Sequence, residues 1–225
     1  MKPTTMEEKQ MSEKESLWLI QRMIHTAKQE QKDDGRGWIL WGWLLFAASV
    51  LTVLNLNFHW FSDVFLFWNA FGVVTFIVLL WEIVRNRFRK TEKVKTYTGD
   101  LFNKLNIGFF ICLVFIILAI NIGARQIFTN FGRYDGTFVR IGFALLINLY
   151  SFWILIYGSA LNFKPSIIGA YLSWALGFAA MFAKTFEQVM ILHAVAVLVG
   201  YIIPGHLANR EFKKLRRVDK VLEGV

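Results

Sequence analysis

Residues 81–104 read WEIVRNRFRKTEKVKTYTGDLFNK, and this stretch decides how the rest of the chain is divided. It holds seven lysine and arginine residues and separates two long apolar runs. No other interior stretch of this length is so polar. Because charged side chains are costly inside lipid hydrocarbon, a chain that crosses a membrane must leave this stretch outside it. The apolar runs on either side are therefore the segments to consider as membrane spans.

The charged residues are unevenly distributed along the 225-residue chain. They make up 18% of it, whereas a soluble domain has about a quarter. They gather at the N-terminus, in residues 81–104 and at the C-terminus, so the hydrophobic 56% of the chain is concentrated between these clusters. This distribution predicts a polytopic membrane protein rather than a soluble domain.

Six apolar segments are long enough to cross a bilayer as helices. The second of them, residues 64–84, corresponds to roughly 31 Å of helix, and the hydrocarbon core is ~30 Å thick. We therefore predict an all-α fold, with a bundle of six transmembrane helices in three hairpins within residues 38–204. The predicted spans cover residues 38–57, 64–84, 105–123, 138–161, 166–183 and 186–204.

Lysine and arginine counts predict the orientation of these spans. With six spans and a cytosolic N-terminus, 21 of the 25 basic residues lie on the cytosolic side and four lie on the other. The cytosolic loops of membrane proteins are the ones enriched in lysine and arginine. We therefore predict a multi-pass protein with both termini in the cytosol.

Two amphipathic helices are predicted outside the membrane. In residues 1–37, Ser12 and Glu15 match a capping box and apolar residues follow at helical spacing, so a helix is expected over residues 13–32. Three roles remain open for it: lying on the membrane surface, packing under the bundle, or binding a protein partner. Residues 205–225 form a basic cytosolic tail with the spacing of a second, short helix.

The basic clusters predict contact with anionic lipid headgroups on the cytosolic side. Nucleic-acid binding is a poorer explanation, because it requires a basic face on a folded soluble domain, whereas these residues flank apolar runs. The residues expected at the headgroups are Arg85, Arg87, Arg89, Lys90, Lys213, Lys214, Arg216 and Arg217.

Polar residues inside the predicted spans are the candidates for a functional site, because each is costly in lipid unless it is paired. The four candidates are Asn69, Asn148, Glu187 and His193. In one interpretation they belong to a polar vestibule open to the outside, and His193, whose charge changes near neutral pH, relays protons together with Glu187. In the other, they make ordinary hydrogen bonds between helices or at hydrated helix ends.

Catalytic and metal-binding patterns are not found in the sequence. It contains no HExxH pair, GxSxG elbow or P-loop, and its four histidines are too scattered for a metal site based on spacing. No enzyme activity, metal or other cofactor is therefore predicted. Gly169, Ser173 and Gly177 instead repeat every four residues, which predicts that one face of the fifth span packs closely against its neighbours.

Three short stretches of the chain form a recognisable combination. They are SEKESLWLIQRMI at residues 12–24, YGSALNFKP at 157–165 followed by Gly169, Ala170 and Trp174, and YIIPG at 201–205. Together they resemble a family of small, uncharacterised bacterial membrane proteins with several spans. The resemblance implies a location in the bacterial inner membrane, and it assigns no catalytic or binding residue.

Two classes of function fit these features. The lack of deeply placed charge and of catalytic motifs, with the capped amphipathic helix, favours a non-enzymatic regulatory or scaffold module whose cytosolic helices bind a partner. The polar residues of the spans favour a small transporter or channel with an outward-facing polar vestibule. One cavity lined by Asn69, Asn148, Glu187 and His193 would favour the transporter, whereas separate positions would favour the module.

Overall fold

The computed structural model describes residues 35–88, 97–131 and 136–223 of the chain. Every regular element in these three ranges is a helix, which confirms the all-α prediction. The helices are α1 (Arg36–Phe58), α2 (Leu66–Phe88), α3 (Tyr97–Phe131), α4 (Thr137–Ala160), α5 (Lys164–Met181), α6 (Phe186–Val197) and α7 (Ile203–Glu223), with a π-helical turn (Leu198–Ile202) between the last two.

In the described ranges, four helical stretches are long and apolar enough to cross a membrane. Among the described residues, α2 contributes a shorter apolar helix, Leu66–Val78, and α5 has 18 residues that include Lys164, Pro165 and several glycines and serines. These lengths and compositions are compatible with a membrane protein. The four long stretches are Arg36–Phe58, Lys104–Gly123, Thr137–Ala160 and Phe186–Lys214.

The core lies between α1, α4, α5 and α6. α1 packs against α6, α4 packs along α5, and α5 packs against α6. Each of the four contributes buried apolar side chains, represented by Leu45, Ile147, Ala170 and Val189. Within the described ranges, the backbone of α2 comes close only to α1 and that of α3 only to α4, so these two helices lie at the edges of the bundle.

The small residues of α5 let its neighbours approach closely, as predicted. A Cβ atom added to Gly169 would lie 2.5 Å from the carbonyl oxygen of Val199, which is too close for any side chain. One added to Gly177 would lie 2.9 Å from a side chain of α4. Between these glycines, the Ser173 hydroxyl donates a 2.9 Å hydrogen bond to the carbonyl of Ala196. α5 is therefore a central helix with close contacts on both sides.

α3 is longer than the sequence predicted. The predicted third span ends at residue 123, but the helix continues to Phe131. It also begins at Tyr97, inside the basic stretch, rather than where the apolar run begins. The reason for the extension is that the chain from residue 124 to Phe131 contains no glycine or proline, so nothing in it interrupts the helix.

The last predicted span does not end at Pro204 and Gly205, where the sequence suggested a break. α6, the π-helical turn and α7 form one continuous helical path. In an α-helix, proline lacks the N–H that would bond the carbonyl four residues earlier, and its ring clashes with that carbonyl. The wider π turn ends two residues before Pro204. The N–H of Ile203, which follows the turn, bonds the carbonyl of Leu198, five residues back. The helix can therefore pass through the proline.

Several predicted features lie outside the described part of the chain. The amphipathic helix expected over residues 13–32 is one of them. Lys213 and Lys214 are described, and both are exposed on α7. For the other six residues expected at lipid headgroups, either the whole residue or its side chain lies outside the described part of the chain. These are Arg85, Arg87, Arg89, Lys90, Arg216 and Arg217.

Candidate functional site

A buried histidine lies at the centre of the four-helix core. His193 is on α6, and its side chain is completely buried. Its Nδ1 atom lies 2.8 Å from the hydroxyl oxygen of Ser49 on α1. The Ser49 hydroxyl also donates a 2.8 Å hydrogen bond to the carbonyl of Leu45, one turn earlier on its own helix. Two residues that are 144 positions apart thus form a polar pair between two helices of a mainly apolar core.

Three aromatic rings surround this pair. Trp68 of α2 and Phe143 and Tyr150 of α4 approach the imidazole of His193 edge to face, with ring centroids 5.2, 6.3 and 5.8 Å away. Edge-to-face packing is a favourable geometry for aromatic rings. The orientation of the imidazole is therefore fixed by side chains from α1, α2 and α4 together.

α1 positions Ser49 through a polar face on an apolar helix. Ser49, Thr52 and Asn55 recur every three residues, and all three are buried. Residues at this spacing lie on the same side of a helix. Thr52 donates a 2.7 Å hydrogen bond to the carbonyl of Ala48, so it is satisfied within its own helix.

Asn55 is the last residue of this polar face, and its side chain binds the loop that follows α1. Its side-chain oxygen accepts a 2.8 Å hydrogen bond from the backbone N–H of Phe61. Its amide donates to the carbonyls of Phe61 and Asp63 at 3.2 and 3.3 Å. The loop is held against α1 by these bonds, so α2 begins beside α1 and its first turn contains Trp68.

Glu187 lies at the start of α6, where a capping box fixes the helix end. The Thr185 hydroxyl accepts a 3.2 Å hydrogen bond from the N–H of Gln188, whose side chain accepts one from the N–H of Thr185. The Glu187 carboxylate accepts a 2.9 Å hydrogen bond from the amide of Asn57 on α1. Glu187 thus joins α6 to α1 at a helix end, away from His193.

The other two candidates lie elsewhere in the bundle. Asn148, on α4, donates a 2.9 Å hydrogen bond to the carbonyl of Ala144 in its own helix, and its amide nitrogen lies next to Gly177 of α5. Asn69, on α2, is exposed. The four candidates predicted from the sequence therefore occupy four separate positions, and no hydrogen bond given by the described residues joins any two of them.

The sequence pattern does not single out Ser49 or Trp68, the residues that complete the histidine site. The repeat of Ser49, Thr52 and Asn55 is the signal that identifies this face of α1, because polar residues along one side of an apolar helix favour a helix interface. No comparable signal marks Trp68, since tryptophan near the end of a span is typical of the headgroup region.

The site offers hydrogen-bonding groups and one imidazole. The part of the chain that the structure describes contains no cluster of three or more potential metal ligands. In the same part, Nε2 of His193 and Nε1 of Trp68 are buried atoms without a hydrogen-bond partner. Burying a polar atom without a partner is costly, so these two atoms distinguish the site from ordinary helix packing. Comparison with protein families, curated proteins and solved structures finds no match to this chain.

Proposed function

We propose that the chain is a six-span protein of the bacterial inner membrane that acts as a non-enzymatic regulatory or scaffold module. In this proposal α1 to α6 cross the membrane as three consecutive hairpins, and both termini lie in the cytosol. The charge distribution supports this orientation, because it places 21 of the 25 lysine and arginine residues on the cytosolic side. The resemblance of residues 12–24, 157–165 and 201–205 to small bacterial membrane proteins supports the location.

The observation that carries the proposal is the dispersal of the polar residues. Asn148 bonds its own helix, Glu187 and His193 bond side chains of α1, and Asn69 is exposed. A transporter needs polar groups that line one path through the bundle and exchange partners with a substrate. Polar groups that are engaged in bonds within and between helices stabilise a fixed bundle instead, which is what a scaffold requires.

Two cytosolic helices form the proposed partner surface. One is the amphipathic helix predicted over residues 13–32, which lies outside the described residues. The other is α7, whose start contacts the N-terminal end of α1 near Gly35. Further along α7, Glu211, Lys213 and Lys214 are exposed. A helix that is anchored in the bundle at one end and exposed beyond it presents a face to a partner without any catalytic group.

Site-specific crosslinking tests this surface. A photoreactive residue at Glu211 or Lys214 should give discrete protein adducts in cells, because both positions are exposed on α7. The same residue at Phe115 is the control and should give none, because Phe115 is an exposed apolar residue of α3 that the proposal places in lipid. The same pattern of adducts from all three positions would contradict recognition through α7.

Flux measurements separate this proposal from a transporter with an outward-facing vestibule. Liposomes that contain the purified chain should hold an imposed proton or potassium gradient as well as protein-free liposomes do. A leak that disappears in the double variant His193→Leu, Glu187→Gln would instead establish transport. Asn121→Leu, which changes an exposed residue of α3, is the matched variant for that comparison.

Anionic lipids are the second proposed class of partner, bound at the cytosolic ends of the helices. Lys213 and Lys214 are exposed on α7, and a basic residue near an anionic surface contributes about 1 kcal/mol. In native mass spectrometry from mixed bilayers, the chain should retain phosphatidylglycerol in preference to phosphatidylcholine. The double variant Lys213→Gln, Lys214→Gln should lose part of this preference. A preference that high salt leaves unchanged would contradict an electrostatic origin.

A further inference from the structure

Two unpaired polar atoms are buried on rings that contact each other. Nε2 of His193 and Nε1 of Trp68 have no hydrogen-bond partner in the described part of the chain, although their rings meet at 85° with centroids 5.2 Å apart. Other polar side chains of the helices bond the carbonyl one turn earlier, as Thr52, Asn148 and Ser151 do. Burying a polar atom without a partner is costly, so two such atoms on rings that contact each other are unusual for a packed core.

The hydrogen bonds of Ser49 favour one tautomer of His193, and this tautomer sets which of the two atoms is the donor. The single hydroxyl proton of Ser49 goes to the carbonyl of Leu45, so the Ser49 oxygen accepts its second bond from Nδ1–H of His193. A neutral imidazole protonated on Nδ1 has an unprotonated Nε2, which is an acceptor. The indole N–H of Trp68 is only a donor. The site therefore offers one acceptor and one donor on adjacent rings.

We propose that His193 and Trp68 together bind a single hydroxyl group, carried by a membrane-soluble alcohol. The hydroxyl donates its proton to Nε2 of His193 and accepts a hydrogen bond from Nε1–H of Trp68. Two bonds of about 2.9 Å let one oxygen bridge nitrogen atoms up to about 5.8 Å apart, and the two rings that carry these nitrogens contact each other, with centroids 5.2 Å apart. The rings of Phe143 and Tyr150 surround the same imidazole and provide apolar contact for the hydrocarbon part of the alcohol.

Other chemical groups match this pair of atoms less well. A carbonyl or an ether oxygen accepts from Trp68 but leaves Nε2 of His193 unpaired. An ammonium or carboxylate group brings a charge into an apolar enclosure, where an uncompensated charge is costly. A hydroxyl is neutral and supplies both a donor and an acceptor. Water has the same two functions, but it does not use the aromatic walls, which favour a hydroxyl attached to hydrocarbon.

α2 provides the route by which such a molecule reaches the site. Within the described ranges its backbone comes close only to α1, and its Trp68 side chain reaches Phe143 of α4 and His193 of α6. Its outer side exposes Val73, Phe76 and Ile77, which are suited to contact with lipid. Thr75 follows Trp68 by seven residues, on the same face of α2, and its hydroxyl oxygen is also buried without a partner. The inward face of α2 therefore carries the polar groups of Trp68 and Thr75 between the lipid and His193.

Thermal unfolding of the full chain in lipid nanodiscs tests the proposal with three probes of similar length. At ten times its Kd, 1-dodecanol should raise Tm by about 4 °C. Neither 1-methoxyundecane, which only accepts hydrogen bonds, nor dodecane should match this shift. Trp68→Phe keeps a ring but removes the N–H, so it should abolish the difference between alcohol and ether. Trp81→Phe is the matched control, because Trp81 is 69% exposed on the same helix, and it should keep the difference.

Three outcomes would overturn the proposal. The first is an equal shift from the alcohol and the ether. The second is an alcohol shift that Trp68→Phe retains. The third is no shift from any probe, which is expected if the site holds only water. In addition, 1-butanol at the same concentration in the membrane tests whether the hydrocarbon part of the alcohol contributes to binding. An equal shift from 1-butanol would overturn the assignment to membrane-soluble alcohols.

Photolabelling provides a second measurement that does not depend on the stability of a variant. A diazirine analogue of 1-dodecanol should label α2 between Trp68 and Thr75, and 1-dodecanol should suppress the label whereas dodecane should not. Labelling spread evenly over the lipid-facing residues of α3, with no suppression by 1-dodecanol, would overturn the proposal. Binding of the alcohol is independent of partner recognition by α7, so either proposal can fail without the other.

Discussion

Polar side chains in the helices of this protein are satisfied mainly within their own helix. Thr52, Asn148 and Ser151 all donate to the carbonyl four residues earlier. Such a bond lowers the cost of burial but does not determine which neighbouring helix is bound. The pair formed by Ser49 and His193 is different, because it joins two helices and thereby fixes how α1 meets α6.

Replacing Ser49 by alanine should lower the stability of the chain by about 1–2 kcal/mol, because Nδ1 of His193 is then buried without a partner. Thr52→Val is the matched control on the same face of α1. The Thr52 hydroxyl bonds only the carbonyl of Ala48, so its loss should cost less. Thermal unfolding in nanodiscs measures both changes, and equal costs would argue against a special role for Ser49.

A double-mutant cycle then isolates the pair. Once His193 is replaced by leucine, the additional change Ser49→Ala should cost little, because no buried nitrogen remains to lose its partner. If Ser49→Ala costs the same in both backgrounds, the hydrogen bond does not couple α1 to α6.

Backbone chemistry, and not hydropathy alone, sets where the helices end. α1 ends at Phe58, and the next residue, His59, adopts the left-handed conformation. The turn after α4 contains Asn162, which also has a positive φ. α3, by contrast, extends beyond its apolar run at both ends, and the last helical path continues through Pro204 by means of a π turn. Hydropathy therefore predicts where the apolar segments lie, whereas helix length depends on where the backbone hydrogen bonds are broken.

Gly169→Ala should destabilise the bundle by about 1–3 kcal/mol. The added Cβ would lie 2.5 Å from the carbonyl oxygen of Val199, and a backbone atom cannot move aside as a flexible side chain can. Gly108→Ala is the control, because a Cβ there meets nothing within 4 Å. The control should be neutral or stabilising by up to about 1 kcal/mol, since alanine is the better helix former. Equal changes in the unfolding temperatures of the two variants would contradict close packing at Gly169.

At the scale of the whole molecule, the bundle has a packed core with two helices at its edges. α1, α4, α5 and α6 share the core, whereas α2 and α3 expose rows of large apolar side chains. The apolar stretch of α3, Lys104–Gly123, contains no buried residue. Such a surface is suited to lipid, and it explains why composition alone gives so clear a membrane signal.

Cysteine accessibility tests the proposed orientation. Cys112 is the sole cysteine of the sequence, so Cys112→Ala provides a cysteine-free background. In spheroplasts, a membrane-impermeant maleimide should label Lys184→Cys directly. It should label Lys164→Cys and Lys213→Cys only after permeabilisation, because the charge distribution places these two positions in the cytosol. Labelling of Lys164→Cys and Lys184→Cys from the same side would rule out a span between them, and with it the six-span arrangement.

The sequence by itself determined that the chain is helical, where its apolar segments lie and how its charges are distributed, because each of these is a local pattern. It also identified His193 as a polar residue in an apolar segment. The tertiary structure decided what surrounds that histidine: Ser49, 144 residues away, and Trp68 from a helix at the edge of the bundle. The rotation of each helix about its axis sets these contacts, and that rotation follows from packing between faces of distant segments, which no local pattern specifies.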